Sequence, residues 1–293
     1  MKSFMLLAML LLIVVSVSSR DKKLPSTVDD IANAERAFAK TSVEKGVRDS
    51  FIEFFAEDGI NFTPHPTKTR ENLSKRPPNR SPFTLNWQPV YADISQAGDL
   101  GFTTGPYTLT DTRPNPQPTG HGYYFSFWRK QADASWKVVI DCGIQTPEPK
   151  ATNYEFKPAP KTAFKKMNVN PQTEREGLLK ADREFLRLAS NQGTSKAFIA
   201  YTTDDARIHR NGRMPVVGKT EIRKFLAEKT LTMSGEPMFA DVAITADLGY
   251  TYGKFELRDQ EQVTKGYYVR AWKRDAKGAW KIIVDIINEL PKE

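Results

Sequence analysis

The feature that most constrains this chain is that it repeats itself. Glu35-Arg36-Ala37-Phe38 lies over Asp182-Arg183-Glu184-Phe185, and the same offset brings Gly46 onto Gly193, Phe51-Ile52 onto Phe198-Ile199 and Asp58 onto Asp205. After one residue of slip, Pro89, Ala92 and Asp93 meet Pro237, Ala240 and Asp241. The run Asp99-Leu100-Gly101-Phe102-Thr103-Thr104-Gly105 then meets Asp247-Leu248-Gly249-Tyr250-Thr251-Tyr252-Gly253. Past a longer loop in the first copy, Gly122-Tyr123-Tyr124, Trp128, Trp136-Lys137 and Asp141 match Gly266-Tyr267-Tyr268, Trp272, Trp280-Lys281 and Asp285. Order and spacing hold from Glu35 to Asp141, so the chain reads as two like units. A length of 293 residues agrees with that, at about 150 residues per domain.

Each unit reads as helices followed by strands. Val28 to Lys45 spaces Ile31, Ala34, Phe38 and Ala39 as one helix face, and Leu178, Leu179, Phe185, Leu186 and Leu188 do the same in the second copy. Short second helices follow around Val47 to Phe55 and Thr194 to Tyr201, and Thr220 to Leu226 reads as a third helix with Thr220 as N-cap. The remainder is strand-like: Tyr91 to Ser95, Leu100 to Leu109, Gly122 to Lys130 and Ser135 to Asp141 are rich in aromatic and β-branched residues, with turn signals between them. Helices grouped before a meander of strands indicate an α+β fold with an antiparallel sheet. A strongly curved sheet folded over its helices leaves a cavity between the two.

The flanking segments carry their own signals. Lys2, the apolar run Met5 to Val17 and the small residues Ser18 and Ser19 have the layout of a secretory signal peptide cut after Ser19. The apolar run is short for the roughly 20 residues that spanning needs, so export to the periplasm or medium is expected, without stable membrane insertion after cleavage. Cys142 is the only cysteine, which excludes an intrachain disulfide and reads as a small buried apolar residue. Between the copies, roughly 147–172, prolines alternate with lysines, the composition of an extended spacer with no core of its own. The expected organisation is a leader at 1–19, a domain at 26–146, a linker at 147–172 and a second domain at 173–293.

Both copies resemble the NTF2-like superfamily, in its SnoaL-like and DUF4440-like branch. The resemblance rests on Asn211 to Lys219 leading into the Ile222/Phe225 helix, on Ala246 to Gly253, on Tyr267 to Arg274, and on Gly278 to Asp285. The first copy keeps the first helix and the strand motifs, but Thr63-Pro64-His65-Pro66 and Arg76-Pro77-Pro78 replace the Gly-Lys helix entry. The resemblance implies two tandem cone-shaped domains, each with N-terminal helices on a curved antiparallel sheet. It also implies packing of the two as an intrachain pseudo-dimer, since single-domain relatives often pair through their sheets. The superfamily includes isomerases, dehydratases, cyclases, ligand-binding domains and assembly domains, so fold alone assigns no activity.

Chemistry is therefore sought in individual side chains. The histidines His65, His121 and His209 show no ligand spacing and sit at non-equivalent repeat positions, so neither a metal site nor a cofactor is expected. As general bases, His209 and His65 are the better placed. Asp141 and Asp285 close the last strand of each copy, and an acid beside a cavity can act as a base of raised pKa or as a hydrogen-bond donor. Asp285 joins the two histidines as a catalytic candidate, although strict alternation sets it opposite Trp280. Tyr107, His121, Tyr123, Trp128, Tyr252, Tyr267 and Trp272 are the candidates for lining a ligand pocket. Asp58 and Asp205 read as braces after the second helix, and Asp99 and Asp247 as turn formers.

A net charge of +8 is modest and dispersed, and the Lys68 to Arg80 cluster is interrupted by prolines, so nucleic acid is not an expected partner. Gly218-Lys219-Thr220 stands one residue too far from Gly212 for a phosphate loop, and no G-x-S-x-G elbow exists. The leading expectation is an exported protein binding a small apolar or amphipathic ligand. An isomerase or dehydratase is the alternative, and an envelope interaction module the third.

Overall fold

The computed structural model describes residues 25–78, 81–150, 153–164, 170–227 and 231–291. The expected leader at 1–19 lies outside the described residues.

In the N-terminal half, α1 (Val28–Lys45) and α2 (Val47–Phe54) lead into β1 (Phe55–Phe62), β2 (Pro66–Lys68) and a six-residue α3 (Thr69–Ser74). Strands β3 (Phe83–Trp87), β4 (Tyr91–Ile94), β5 (Leu100–Asp111), β6 (Gly120–Lys130) and β7 (Trp136–Gln145) follow, and β8 (Lys157–Pro158) completes the sheet. The C-terminal half repeats the sequence of elements: α4 (Pro171–Gln192), α5 (Thr194–Tyr201), β9 (Thr202–His209), β10 (Val216–Val217) and α6 (Lys219–Ala227). Its meander is β11 (Leu231–Val242), β12 (Leu248–Asp259), β13 (Gln262–Arg274) and β14 (Trp280–Glu289). The fold is α+β throughout. The two sheets share one order, β2-β1-β7-β6-β5-β4-β8 against β10-β9-β14-β13-β12-β11, with β3 and β4 together taking the place of β11 along β5. In each, the strand leaving the second helix runs parallel beside the last strand, and in the first sheet β8 is also parallel to β4.

Each sheet has two apolar faces. One packs on the helices, with Ile31, Phe38, Phe51, Trp87 and Trp128 in the first half and Leu178, Phe185, Phe198, Ile222 and Trp272 in the second. The other faces join in a single layer, where Phe102, Tyr123, Phe125 and Phe127 meet Tyr250, Tyr267, Val269 and Ile286. Burial on both faces explains why the central strands read as continuous apolar runs.

The contacts bounding that layer are reciprocal. Asp99 Oδ2 accepts from the Ile244 amide at 3.0 Å, and its repeat counterpart Asp247 accepts from the Gln96 amide at 3.0 Å. Arg129 reaches Asp241 at 2.6 Å, and Lys273, at Arg129's repeat position, reaches Asp93 at 2.6 Å. Residue i touching j while j's equivalent touches i's is the signature of a two-fold interface. Thus Asp99 and Asp247 sit in turns as expected, yet each also holds the opposite half.

Three local expectations are revised. Helix α6 starts at Lys219 behind Gly218 at φ 91°, so Thr220 lies inside the first turn and is not the cap. The linker is not merely a spacer: the Lys157 amide donates to Val90 O at 2.9 Å and the Ala159 amide to Ala92 O at 2.8 Å, closing the edge of β4. Pro171 and Gln172 already belong to α4. Strict alternation also fails in both last strands. Trp128 pairs with Val138 and Phe127 with Ile140, skipping Val139; Trp272 pairs with Ile282 and Ala271 with Val284, skipping Ile283. These bulges flip the phase, because one extra residue moves every later side chain to the other face.

Candidate functional site

The bulges turn Asp141 and Asp285 onto the helix-facing side of their sheets, where Asp285 was expected opposite Trp280. What surrounds the two carboxyls differs. In the N-terminal half a cavity of about 480 Å³ opens between helices and sheet, walled by Val47, Phe51, Phe62, Leu73, Leu85 and Trp87. Asp141, Asn61, Tyr107 and Tyr124 supply polar groups, and Arg76 stands exposed at its edge. Asn61 pairs with Asp141 across the parallel β1–β7 ladder, so both residues reach the wall side by side. Tyr107 reaches the cavity because Gly122 opposes it: a Cβ at Gly122 would lie 2.2 Å from the Tyr107 ring.

Among the described residues, Asp141 accepts a hydrogen bond from the Ser126 hydroxyl at 2.8 Å. Loss of hydration at depth pushes its carboxyl up to about 8; the Ser126 bond opposes the rise and the nearby Glu35 adds to it. The residue still keeps part of its surface open, because it borders the cavity. Glu35 is fully buried and accepts from Trp87 Nε1 at 2.5 Å, Trp128 Nε1 at 2.7 Å and the Thr103 hydroxyl. Burial raises its pKa too, with no cation beside it in those contacts.

In the C-terminal half the equivalent carboxyl is sealed. Arg270 takes the position of Ser126, and its Nε donates to Asp285 Oδ2 at 2.7 Å while Nη1 donates to Asp182 at 2.5 Å. Arg210 closes the other side, Nη2 lying 2.7 Å from Asp285 Oδ1. Tyr268 donates to Asp182 at 2.8 Å, and the Arg270 guanidinium stacks between Tyr268 and Phe185. Arg270, Asp182 and Asp285 are all without solvent exposure. Burial alone would raise the Asp285 pKa, but the two guanidinium groups outweigh it and hold the carboxyl below its ordinary value. Asp285 is therefore a fixed anion in a structural ion chain, not a base of raised pKa. The cavity in this half, about 250 Å³, is bordered by Arg210, Phe225 and Met233.

The other expected residues are scattered. His209 points into the layer between the sheets, edge-on to Tyr123 at 5.9 Å between ring centres, with neither ring nitrogen hydrogen-bonded. Burial first, and then the Arg207 and Arg210 charges, lower its pKa to about 3, so it is neutral and away from the helix-side cavities. His65 is exposed and its Nδ1 lies 3.1 Å from the Tyr267 hydroxyl, across the junction of the halves. Tyr123, Tyr252 and Tyr267 belong to the intersheet layer. Trp128 and Trp272 are wholly buried in the helix–sheet cores. His121 borders a separate hollow of about 670 Å³ beside Tyr107. Of the pocket candidates, Tyr107 alone borders the 480 Å³ cavity. Among the described residues no His, Cys, Asp and Glu group could hold a metal ion, and no helix is long and apolar enough to cross a membrane.

The catalytic candidates read from the sequence include Asp285 and omit Asp141. The signal was present: an Arg in one copy faces a Ser in the other, within a strand that is otherwise buried.

No protein-family model matches this chain, and no curated protein matches it. Solved structures similar to part of it include a ketosteroid isomerase-like protein from Erwinia carotovora atroseptica SCRI1043, at 22% identity and a TM-score of 0.34, covering 40% of this chain and 96% of that one. An LEH-like epoxide hydrolase from M. tuberculosis aligns at 13% identity and a TM-score of 0.32, over 41% of this chain and 81% of its own. An NTF-2 like protein of unknown function from Shewanella oneidensis MR-1 aligns at 12% and 0.33, over 38% and 96%.

Proposed function

We propose that this protein binds a small, largely apolar molecule in the N-terminal cavity, with the Asp141 carboxyl as the polar contact. The observation that carries the reading is the pairing of an apolar-walled cavity of about 480 Å³ with one carboxyl that, among the described residues, no cation pairs with. The two halves are read as tandem NTF2-like domains of the SnoaL/DUF4440 kind, joined as an intrachain pseudo-dimer. Support comes from the repeated sequence, the repeated strand order and the reciprocal contacts. The leader-like residues 1–19 support export, with cleavage after Ser19; the N-terminal sequence of the secreted protein checks this.

The neutral fluorophore N-phenyl-1-naphthylamine tests the binding. Its emission rises on addition to the protein, and Leu85→Trp, which fills the cavity, removes the rise while the circular dichroism spectrum stays unchanged. No rise with the unaltered protein, or a rise unaffected by Leu85→Trp, overturns the reading.

A second reading has its own observation. A carboxyl that titrates near pH 8 can both take and return a proton under ordinary conditions, as an isomerase or dehydratase requires. Exchange of solvent deuterium into a cavity-sized cyclic ketone, abolished by Asp141→Asn, is the outcome that favours it.

A further inference from the structure

The two halves place one carboxyl on the same bulged strand and surround it differently, and a single repeat position accounts for the difference. In the C-terminal half that position is Arg270, which binds Asp285 and Asp182 at once and takes no part in solvent contact. In the N-terminal half it is Ser126, which gives Asp141 one hydroxyl donor and gives Glu35, the counterpart of Asp182, no charge. The side chain of arginine fills the space between sheet and first helix; serine does not. Asp141 borders a cavity of about 480 Å³, whereas Asp285 is fully buried and lies outside the wall of the 250 Å³ cavity of its own half, which Arg210 borders.

We infer that the residue shared by Ser126 and Arg270 decides which half takes a ligand: serine leaves the last-strand carboxyl facing an open apolar cavity, and arginine converts it into part of the scaffold. The chain then has one binding half and one supporting half, and the favoured ligand is an uncharged apolar molecule. This rests on the binding reading above. The physical reason is desolvation. An ionised carboxylate in the cavity wall holds water that an apolar ligand must strip away, whereas a neutral carboxyl does not. The groups around Asp141 support its neutral form at neutral pH. Glu35 from α1 is of like charge, Tyr107 from β5 and Tyr124 from β6 are phenols that burial keeps protonated, and Asn61 from β1 is uncharged. Cys142 is a buried thiol pushed up by burial, and Arg76 is exposed at the cavity edge.

The test is titration of the full chain with N-phenyl-1-naphthylamine at several pH values. One molecule binds per chain, Leu257→Trp in the C-terminal cavity leaves that ratio unchanged, and affinity falls about tenfold or more as pH rises through 8. Asp141→Asn removes the fall, so that affinity no longer depends on pH through 8. Ser126→Ala keeps binding, because no cation is introduced. Ser126→Arg, which finds Glu35 and Asp141 as partners just as Arg270 finds Asp182 and Asp285, lowers affinity at least tenfold at pH 6 with the circular dichroism spectrum retained. Two molecules per chain, a pH effect that survives Asp141→Asn, or unchanged binding by folded Ser126→Arg overturns the inference and leaves the cavity reading standing. Should Ser126→Arg not fold, the ratio and the Asp141→Asn profile still decide. Absence of any binding by the unaltered protein removes both readings together.

Discussion

At the scale of single residues, the molecule holds two titratable groups in forms that folding alone imposes. His209 is neutral because burial strips its hydration and the Arg207 and Arg210 charges outweigh that of Asp285. The unfolded chain protonates this ring near pH 6.5, and the folded one only near 3, so stability is complete above about 6.5 and drains as pH falls toward 3. Replacing His209 by Phe, the residue its counterpart Phe62 already is, flattens the acid limb of a melting-temperature profile between pH 6 and 4. Asp141 has the opposite sign. Its carboxyl ionises near 4 when unfolded and near 8 when folded, so it withdraws stability as pH rises between those values. Asp141→Asn raises the urea midpoint at pH 8, by a free energy on the order of a few kcal/mol, and leaves it nearly unchanged at pH 4. Such a gain on removal is what a group kept for binding rather than for stability shows.

At the scale of elements, the helices and the meander were legible from residues because burial writes a period into the sequence. Val28 to Lys45 and Thr194 to Tyr201 appear at the expected bounds. The site was harder to read for a specific reason: a bulge is one residue with no compositional mark, and it decides the face on which Asp141 and Asp285 emerge. The strand β8 was hidden differently, since Lys-Pro composition signals an extended spacer whether or not a sheet edge accepts it. The ion chain between α4, β13 and β14 was inferable in principle, because a buried Arg270 requires carboxylates and the repeat supplies Asp182 and Asp285. Arg270→Met tests its weight. Removing that charge takes the guanidinium from the buried Asp182 and leaves Asp285 with Arg210 alone, and the urea unfolding free energy at pH 7 drops by about 3–5 kcal/mol.

At the scale of the whole molecule, the halves are tied by reciprocal pairs that lie at the margin of a shared apolar layer. Lys273 and Asp93 are largely buried, so reversing one charge strands two carboxylates together. Lys273→Glu lowers the thermal midpoint, and adding Asp93→Lys restores most of the loss. Calorimetry of the full chain gives one transition rather than two, because the same apolar layer is core to both sheets.

The reciprocal interface has a further consequence. Where two identical subunits meet across a dyad, any codon change is written on both sides, and neither site can drift without the other. Here the two sides are encoded separately in one reading frame. An arginine can enter one of them while its opposite number stays a serine, and a lineage can keep one chamber while the other is given over to holding it up.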